Sequence, residues 1–174
     1  PNIVQVLGAG TCARVNFLVM EYIDGETILE RVQRTGPLPL GEALAITRRA
    51  CRGLAAAHRA GVVHRDIKPA NVMLGSFGEV KVCDLGLAKA LGSSCHLTLA
   101  HKALGTPSYM APEQWRDART VGPASDVYSL GATLYFMLTG RPGLCATTLS
   151  DLRRVIAECD VPDLRTVVAG IPDE

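Results

Sequence analysis

Residues 62 to 84 read VVHRDIKPANVMLGSFGEVKVCD, and this stretch narrows the possible folds more than any other. Two short apolar runs, VML and VKVC, flank GSFGE, a loop with two glycines. That pattern predicts a β-hairpin over 72–74 and 80–83. In an antiparallel pair joined by a tight loop, the start of the first strand lies beside the end of the second. Asn71 immediately precedes the first run and Asp84 immediately follows the second. Folding must therefore bring a carboxamide oxygen and a carboxylate together at one edge of a ribbon.

The groups around that edge share a chemistry. Asn71 and Asp84 are hard oxygen ligands suited to Mg²⁺, which keeps some waters and takes further ligands from a phosphate. Asp66 lies on the same loop and can accept a proton from a hydroxyl, and Lys68 adds a cation able to steady a transferring phosphoryl group. A base, a cation and two metal ligands at one edge describe phosphoryl transfer to an alcohol. At ordinary residue usage the motif H-R-D-x-K-P-x-N arises by chance in about three of a million chains of this length, so coincidence is a poor explanation. His64 reads as a packed structural histidine, and Cys83 beside Asp84 as packing.

The rest of the chain reads as a single domain of mixed class. Residues 3–7 and 17–23 are β-branched or apolar and predict two paired strands. GAGTCA, residues 8–13, fits a G-x-G-x-x-A pattern, but it sits directly before the FLVMEY strand and reads as the turn of a hairpin. IDGETILERV turns into a short helix. From Leu40 to Ala60 the pattern is helical: Leu44, Thr47, Cys51, Leu54, Ala55 and His58 share an expected inner face, with Arg48, Arg49, Arg52 and Arg59 on another. His58 reads as a hydrogen-bonded core histidine. No clear period runs from about residue 88 to 112, a length usual for functional or mobile loops. Ser125 to Leu138 reads as a buried helix stopped by Thr139-Gly140, and a last helix is expected over 150–159.

Bulk properties remove several classes of function. A net charge of +1 over 174 residues gives no reason to expect a nucleic acid or a membrane surface as partner. Six cysteines without a CxxC pair argue against a disulfide scaffold or structural zinc, and for reduced thiols in a cytoplasmic setting. The longest strongly apolar stretch, 128–138, falls short of the ~20 residues that a membrane span needs. The sequence opens on Pro1 and reads as a piece of a longer chain, with any membrane anchor or sensor domain outside it.

HRDIKPAN, followed by DLG (84–86) and APE (111–113), resembles the protein kinase signature set, in its bacterial-type serine/threonine branch. MEYIDGE resembles the hinge that holds adenine, GTPSYMAPE the segment that receives a substrate peptide, and SDVYSLGATLYFMLTGRP the long central helix. The resemblance implies an α+β, kinase-like fold: residues 1–24 as a remnant of the small lobe, and 25–174 as a mainly α, incomplete large lobe. It also implies ATP and Mg²⁺ as cofactors and protein substrates with Ser/Thr acceptors. Asp66 would be the catalytic base, Asn71 and Asp84 the Mg²⁺ ligands, and Lys68 the phosphate-contacting lysine of kinases that modify serine or threonine. Thr106 would link the substrate segment to Asp66 and Lys68. Met20 would stand behind the adenine and Met73 beneath it, with Glu21 and Ile23 offering backbone hydrogen bonds. Leu85 stands where the family most often has Phe, a mild departure.

The same resemblance suggests regulation. Arg65, with Lys89 as a second contact, would grip a phosphorylated residue of the activation loop, and Thr98 is the preferred acceptor. Arg65 also has a plain reading as a surface ion pair. Asp126 either satisfies orphan N–H groups at the start of its helix or bonds the backbone of the catalytic loop, and Glu113 is expected to make a buried ion pair. Lysines stand only at 68, 81, 89 and 102, so none precedes the catalytic loop to pair the α- and β-phosphates. Residues 1–174 alone are therefore expected to be inactive. The alternatives are a non-catalytic kinase-like scaffold, against which the intact Asp66, Asn71 and Asp84 argue, and a small-molecule phosphotransferase of kinase-like fold.

Overall fold

A computed structural model describes residues 1–85, 107–116, 120–144, 151, 154–155 and 161–171. The expected sites Lys89, Thr98 and Thr106 lie outside the described residues, as does most of the 88–112 stretch. Of the helix expected over 150–159, Asp151, Arg154 and Val155 are described and helical.

The chain opens with Asn2–Val4 laid against the strand that ends at Val82. Val4 N–H donates to the Val82 carbonyl at 2.9 Å, and Val82 N–H donates to that of Asn2 at 3.0 Å. Residues 3 and 4 thus lie against the strand that ends at Val82 and not against 17–23, whereas the expected pairing holds for Gln5, whose carbonyl accepts from Glu21 N–H, and for Val6, opposite Met20. The first hairpin is instead β1 (Val6–Cys12) with β2 (Val15–Met20), antiparallel. Its turn is Ala13-Arg14, at φ 47° and 66°, the left-handed pair that two-residue hairpins require. GAGTC is strand, not turn. Gly10 faces Phe17 across the ribbon, and a Cβ there would lie 2.6 Å from the Phe17 ring, so the glycine makes room for the aromatic.

A second sheet has the order β3 (Gly25–Thr27), β4 (Val72–Gly75), β5 (Val80–Val82), all antiparallel. The hairpin expected from VML and VKV is thus present, in the register Val72↔Val82. Gly25 pairs with Gly75, and a Cβ on Gly25 would stand 2.0 Å from the Leu74 carbonyl oxygen. Thr27 ends β3 and caps α1 (Ile28–Thr35): its hydroxyl accepts from Glu30 N–H, while the Glu30 carboxylate accepts from Thr27 N–H, a reciprocal capping box. Glu26 accepts from Arg31 Nε at 2.5 Å and from Arg34 Nη2 at 2.6 Å, tying β3 to the outer face of α1.

The long helix α2 (Leu40–Arg59) is where the sequence expected it, but its inner face is not. Ala43, Ile46, Ala50, Gly53, Leu54 and Ala57 are buried, whereas Leu44 is 48% exposed and Cys51 and Ala55 are exposed. The reason is close approach. A Cβ on Gly53 would sit 2.4 Å from the Asn2 carbonyl oxygen, so the buried face includes small residues at the point of approach, between Ile46 and Leu54, which pack on the sheet. After a short α3 (Pro112–Arg116), α4 (Pro123–Thr139) runs through the core and ends at Gly140, in the left-handed conformation at φ 73°. A final turn, α5, spans Leu164–Val167. No described helix is long and apolar enough to cross a membrane.

Two apolar clusters place the polar loop between helices and sheet. One joins Ile28, Val32, Ile46, Val72, Leu74 and Val80 to Tyr109, Phe136 and Met137; the other joins Ala50, Leu54 and Leu130 to Val82 and Ile67. Ile67, only 2% exposed, sits between Asp66 and Lys68 and so anchors the loop at its polar centre.

Gly25→Ala should push β3 off β4 and destabilise the fold by about 1–3 kcal/mol, read as a lower midpoint in urea denaturation. A pH effect follows from Glu26, whose carboxyl is depressed to about 2 because Arg34 and Arg31 both donate to it. A depressed acid stabilises the fold above its ordinary value of 4.5. That contribution should fade as pH falls through about 2, and Glu26→Gln should flatten this part of the stability–pH curve.

Candidate active site

The polar loop closes on itself before it meets anything else. Pro69–Asn71 form a single 3₁₀ turn with Pro69 and Asn71 buried, and Asn71 N–H donates to the Lys68 carbonyl at 2.9 Å. Cys83 N–H donates to the Asn71 carbonyl at 3.0 Å, adding one rung beyond the Val72–Val82 pair. The Asn71 side chain turns back: Nδ2 donates to the Asp66 carbonyl at 2.8 Å and to Asp66 Oδ2 at 3.0 Å. Lys68 Nζ donates to the same Oδ2 at 2.7 Å.

These bonds assign atoms to tasks. Asn71 spends its amide N–H groups on Asp66, which leaves Oδ1 as an acceptor. Asp66 spends Oδ2 on Lys68 and Asn71, and its side chain, 43% exposed, keeps Oδ1 for another donor. Asp84 follows the Asn71–Cys83 rung, exposed and at φ 62°. Asn71 Oδ1 and the Asp84 carboxylate are donors of the right hardness for Mg²⁺. No cluster of three or more His, Cys, Asp or Glu among the described residues forms a closed metal site. Two oxygen donors of this kind fit a Mg²⁺ ion, which takes its remaining ligands from water and phosphate.

A buried frame orients this loop. Arg65 sits at φ 70°, a left-handed conformation uncommon outside glycine. Asp126 of α4, 1% exposed, accepts from Arg65 N–H through Oδ1 at 2.8 Å and from His64 N–H through Oδ2 at 2.9 Å. His58 of α2 approaches Oδ2 through Nε2 at 2.7 Å. His64 is 2% exposed, takes the Asp66 N–H on Nδ1 at 3.2 Å, and contacts the Cys83 carbonyl through Nε2 at 2.8 Å. Accepting at Nδ1 and facing a carbonyl at Nε2 selects the tautomer protonated on Nε2. Gln114 of α3 donates from Nε2 to the Arg65 carbonyl at 2.8 Å.

The segment expected to form the hinge meets β5 through Glu21 and Lys81. Glu21 N–H donates to the Gln5 carbonyl at 2.9 Å, and its carboxylate accepts from Gln5 N–H at 2.7 Å and from Lys81 Nζ at 2.5 Å. The Lys81 hydrogen bond is the main reason that the Glu21 carboxyl titrates below its usual range. No backbone hydrogen bond among the described residues engages the Glu21 carbonyl or the Ile23 N–H. Met73 and Lys81 are opposite one another on β4 and β5, on the face away from the buried Val72, Leu74, Val80 and Val82. Met20 ends β2 at 38% exposure. The Cys83 thiol is pushed up to about 11, by burial first and then by the Asp84 carboxylate, which fits packing and not redox chemistry. Leu85 is half-buried. Glu113 Oε1 accepts from Ser125 Oγ at 2.5 Å; the arginine expected to answer it lies outside residues 1–174.

Asp66, Lys68, Asn71, His64 and Asp126 thus form one hydrogen-bonded unit, and Met20, Glu21, Ile23 and Met73 lie along the hinge and sheet beside it. Sequence reading did not single out Gln114 or Lys81, whose partners are remote in the chain. His58 was legible as a hydrogen-bonded core histidine, though not its partner.

The family model described as the protein kinase domain matches residues 1–166, and the chain belongs to that family. Serine/threonine-protein kinase PknL of Mycobacterium tuberculosis is 40% identical over 172 residues, covering 99% of this chain and 43% of its own length. Serine/threonine-protein kinase PknB of Mycobacterium leprae is 42% identical over 146 residues, covering 82% of this chain and 23% of its own. Among solved structures, Rad53 1-466 in complex with AMP-PNP superposes with a TM-score of 0.76 at 26% identity, over 93% of this chain and 40% of that one. The fold is that of a protein kinase catalytic domain, and the chain spans less than half the length of these relatives.

Asp126→Asn tests the frame directly. Three donors converge on the carboxylate, and an amide would turn one N–H group against them, leaving a buried donor unmet. The expected cost is about 1–3 kcal/mol in chemical denaturation. Backbone hydrogen exchange should accelerate at residues 64–66 before it does in α2.

Proposed function

We propose that the protein is an ATP-dependent serine/threonine protein kinase, and that this chain carries its catalytic loop, metal ligands and adenine hinge. Asp66 Oδ1 accepts the proton of a serine or threonine hydroxyl. The freed oxygen attacks the γ-phosphorus, the bond from the γ-phosphorus to the β–γ bridging oxygen breaks, and ADP leaves with that oxygen. Lys68, held on Asp66 Oδ2, offers its charge to the transferring phosphoryl group. Mg²⁺, when bound by Asn71 Oδ1 and Asp84, neutralises the phosphate oxygens. The Glu21 carbonyl and Ile23 N–H present one acceptor and one donor to the adenine edge, with Met73 beneath the ring and Met20 behind it. Phosphorylation of Thr98, answered by Arg65 and Lys89, orders the segment ahead of Thr106 in the active enzyme.

One observation carries the reading: Asn71 and Lys68 converge on a single oxygen of Asp66, so that among the described residues the other oxygen is left to act as the base. The named serine/threonine kinases at about 40% identity support it independently. A binding scaffold would have no use for a carboxylate held in that way.

The test is phosphorylation of a generic protein substrate by the full-length protein with Mg²⁺ and ATP, beside Asp66→Ala. Transfer to serine or threonine that falls roughly 10³-fold or more in Asp66→Ala is expected. Equal incorporation in both would contradict the reading. Residues 1–174 alone, having no lysine ahead of the catalytic loop, should transfer no phosphate in the same assay.

A further inference from the structure

We propose that Gln114 is a positioning residue that couples the substrate-side helix α3 to the catalytic base by holding the Arg65 carbonyl. The proposal rests on the reading of Asp66 as that base.

The Arg65 carbonyl and the Asp66 N–H belong to one rigid peptide plane. The plane is held at both ends: the N–H donates to His64 Nδ1 at 3.2 Å, and the carbonyl accepts from Gln114 Nε2 at 2.8 Å. The tilt of that plane sets the direction in which the Asp66 side chain leaves the backbone. Asp126 holds the N–H of Arg65 but has no contact with its carbonyl, so Gln114 alone, among the described residues, restrains that oxygen.

The polarity of the Gln114 amide is determined by its partners. Oε1 accepts from Ala111 N–H at 2.9 Å, which leaves Nε2 to donate to Arg65. The side chain therefore spans from the backbone of the APE segment to the backbone of the catalytic loop, 49 residues away in the chain. Beside it in α3, Glu113 is tied to Ser125 at the start of α4. A displacement of α3 breaks the Gln114 contact and frees the peptide plane ahead of Asp66, while the Asp126 bonds remain.

Gln114→Glu separates the two halves of this bond. Its shape is retained and a carboxylate oxygen still accepts from Ala111 N–H, but the donor to Arg65 is gone and a charge faces the carbonyl. In the full-length protein, Gln114→Glu should keep its thermal midpoint and its KM for ATP. Its kcat should fall roughly ten- to hundredfold. Activity relative to wild type should begin to recover only as pH is lowered toward about 4.5, where a substantial share of an ordinary glutamate carboxyl is protonated and again donates to the carbonyl. A kcat within twofold of wild type would overturn the proposal. So would hydrogen exchange that accelerates throughout the chain instead of at residues 62–68, since that marks a stability bond only. If the wild-type protein itself transfers no phosphate, the enzymatic reading fails separately, and exchange at 62–68 decides the coupling: faster in Gln114→Glu supports it, unchanged refutes it.

Discussion

The Asp126 carboxylate, almost wholly buried, is met by two backbone N–H groups and a histidine nitrogen, and the catalytic loop takes its path from these bonds. A buried carboxylate is costly unless its lone pairs are filled. Here the donors are the loop itself. Holding Arg65 in a left-handed conformation costs on the order of 1–3 kcal/mol. Hydrogen bonds to a charged acceptor return about 1.5–3 kcal/mol each, so the turn is stable although no glycine makes it. Ile67, buried in the second apolar cluster, then turns Asp66 and Lys68 toward the same side.

The second dependence is on hairpin register. Asn71 serves the sheet through its carbonyl and the loop through its amide N–H groups, and its remaining oxygen is the one we propose for the metal. A slip of one residue would turn every side chain of β4 to the opposite face. It would bury Met73 and remove the apolar side chain from the face where we propose the adenine. The apolar alternation of Val72, Leu74, Val80 and Val82 forbids that slip, so the core and the site are specified by the same residues.

Local signals were legible. The glycine loop between VML and VKVC and the Gly140 stop both act within a few residues, and each element lies where its pattern implies. The failures have a common cause. The buried face of α2 depends on how closely the Asn2 backbone approaches Gly53, and the turn at Ala13-Arg14 depends on strand pairing that leaves Gly10 opposite Phe17. Neither can be weighed from hydrophobicity alone, which favoured Leu44 over Ala43. The placement of Asn71 and Asp84 at one end of the hairpin was readable because the two strands join them locally. Gln114 and Lys81 were not, since a polar residue acquires such a role only when remote segments meet.

The central claim is that one metal position is built from Asn71 Oδ1 and the Asp84 carboxylate, beside an Asp66 held by Lys68. A crystal structure of the full-length protein with Mn²⁺ and a non-hydrolysable ATP analogue measures this directly through anomalous scattering. The account predicts a manganese peak bonded to both Asn71 and Asp84 and to phosphate oxygens, at the roughly 2.1–2.2 Å expected of a small hard cation. Nucleotide bound with its metal on other residues, and with Asn71 and Asp84 turned away from it, would contradict the account.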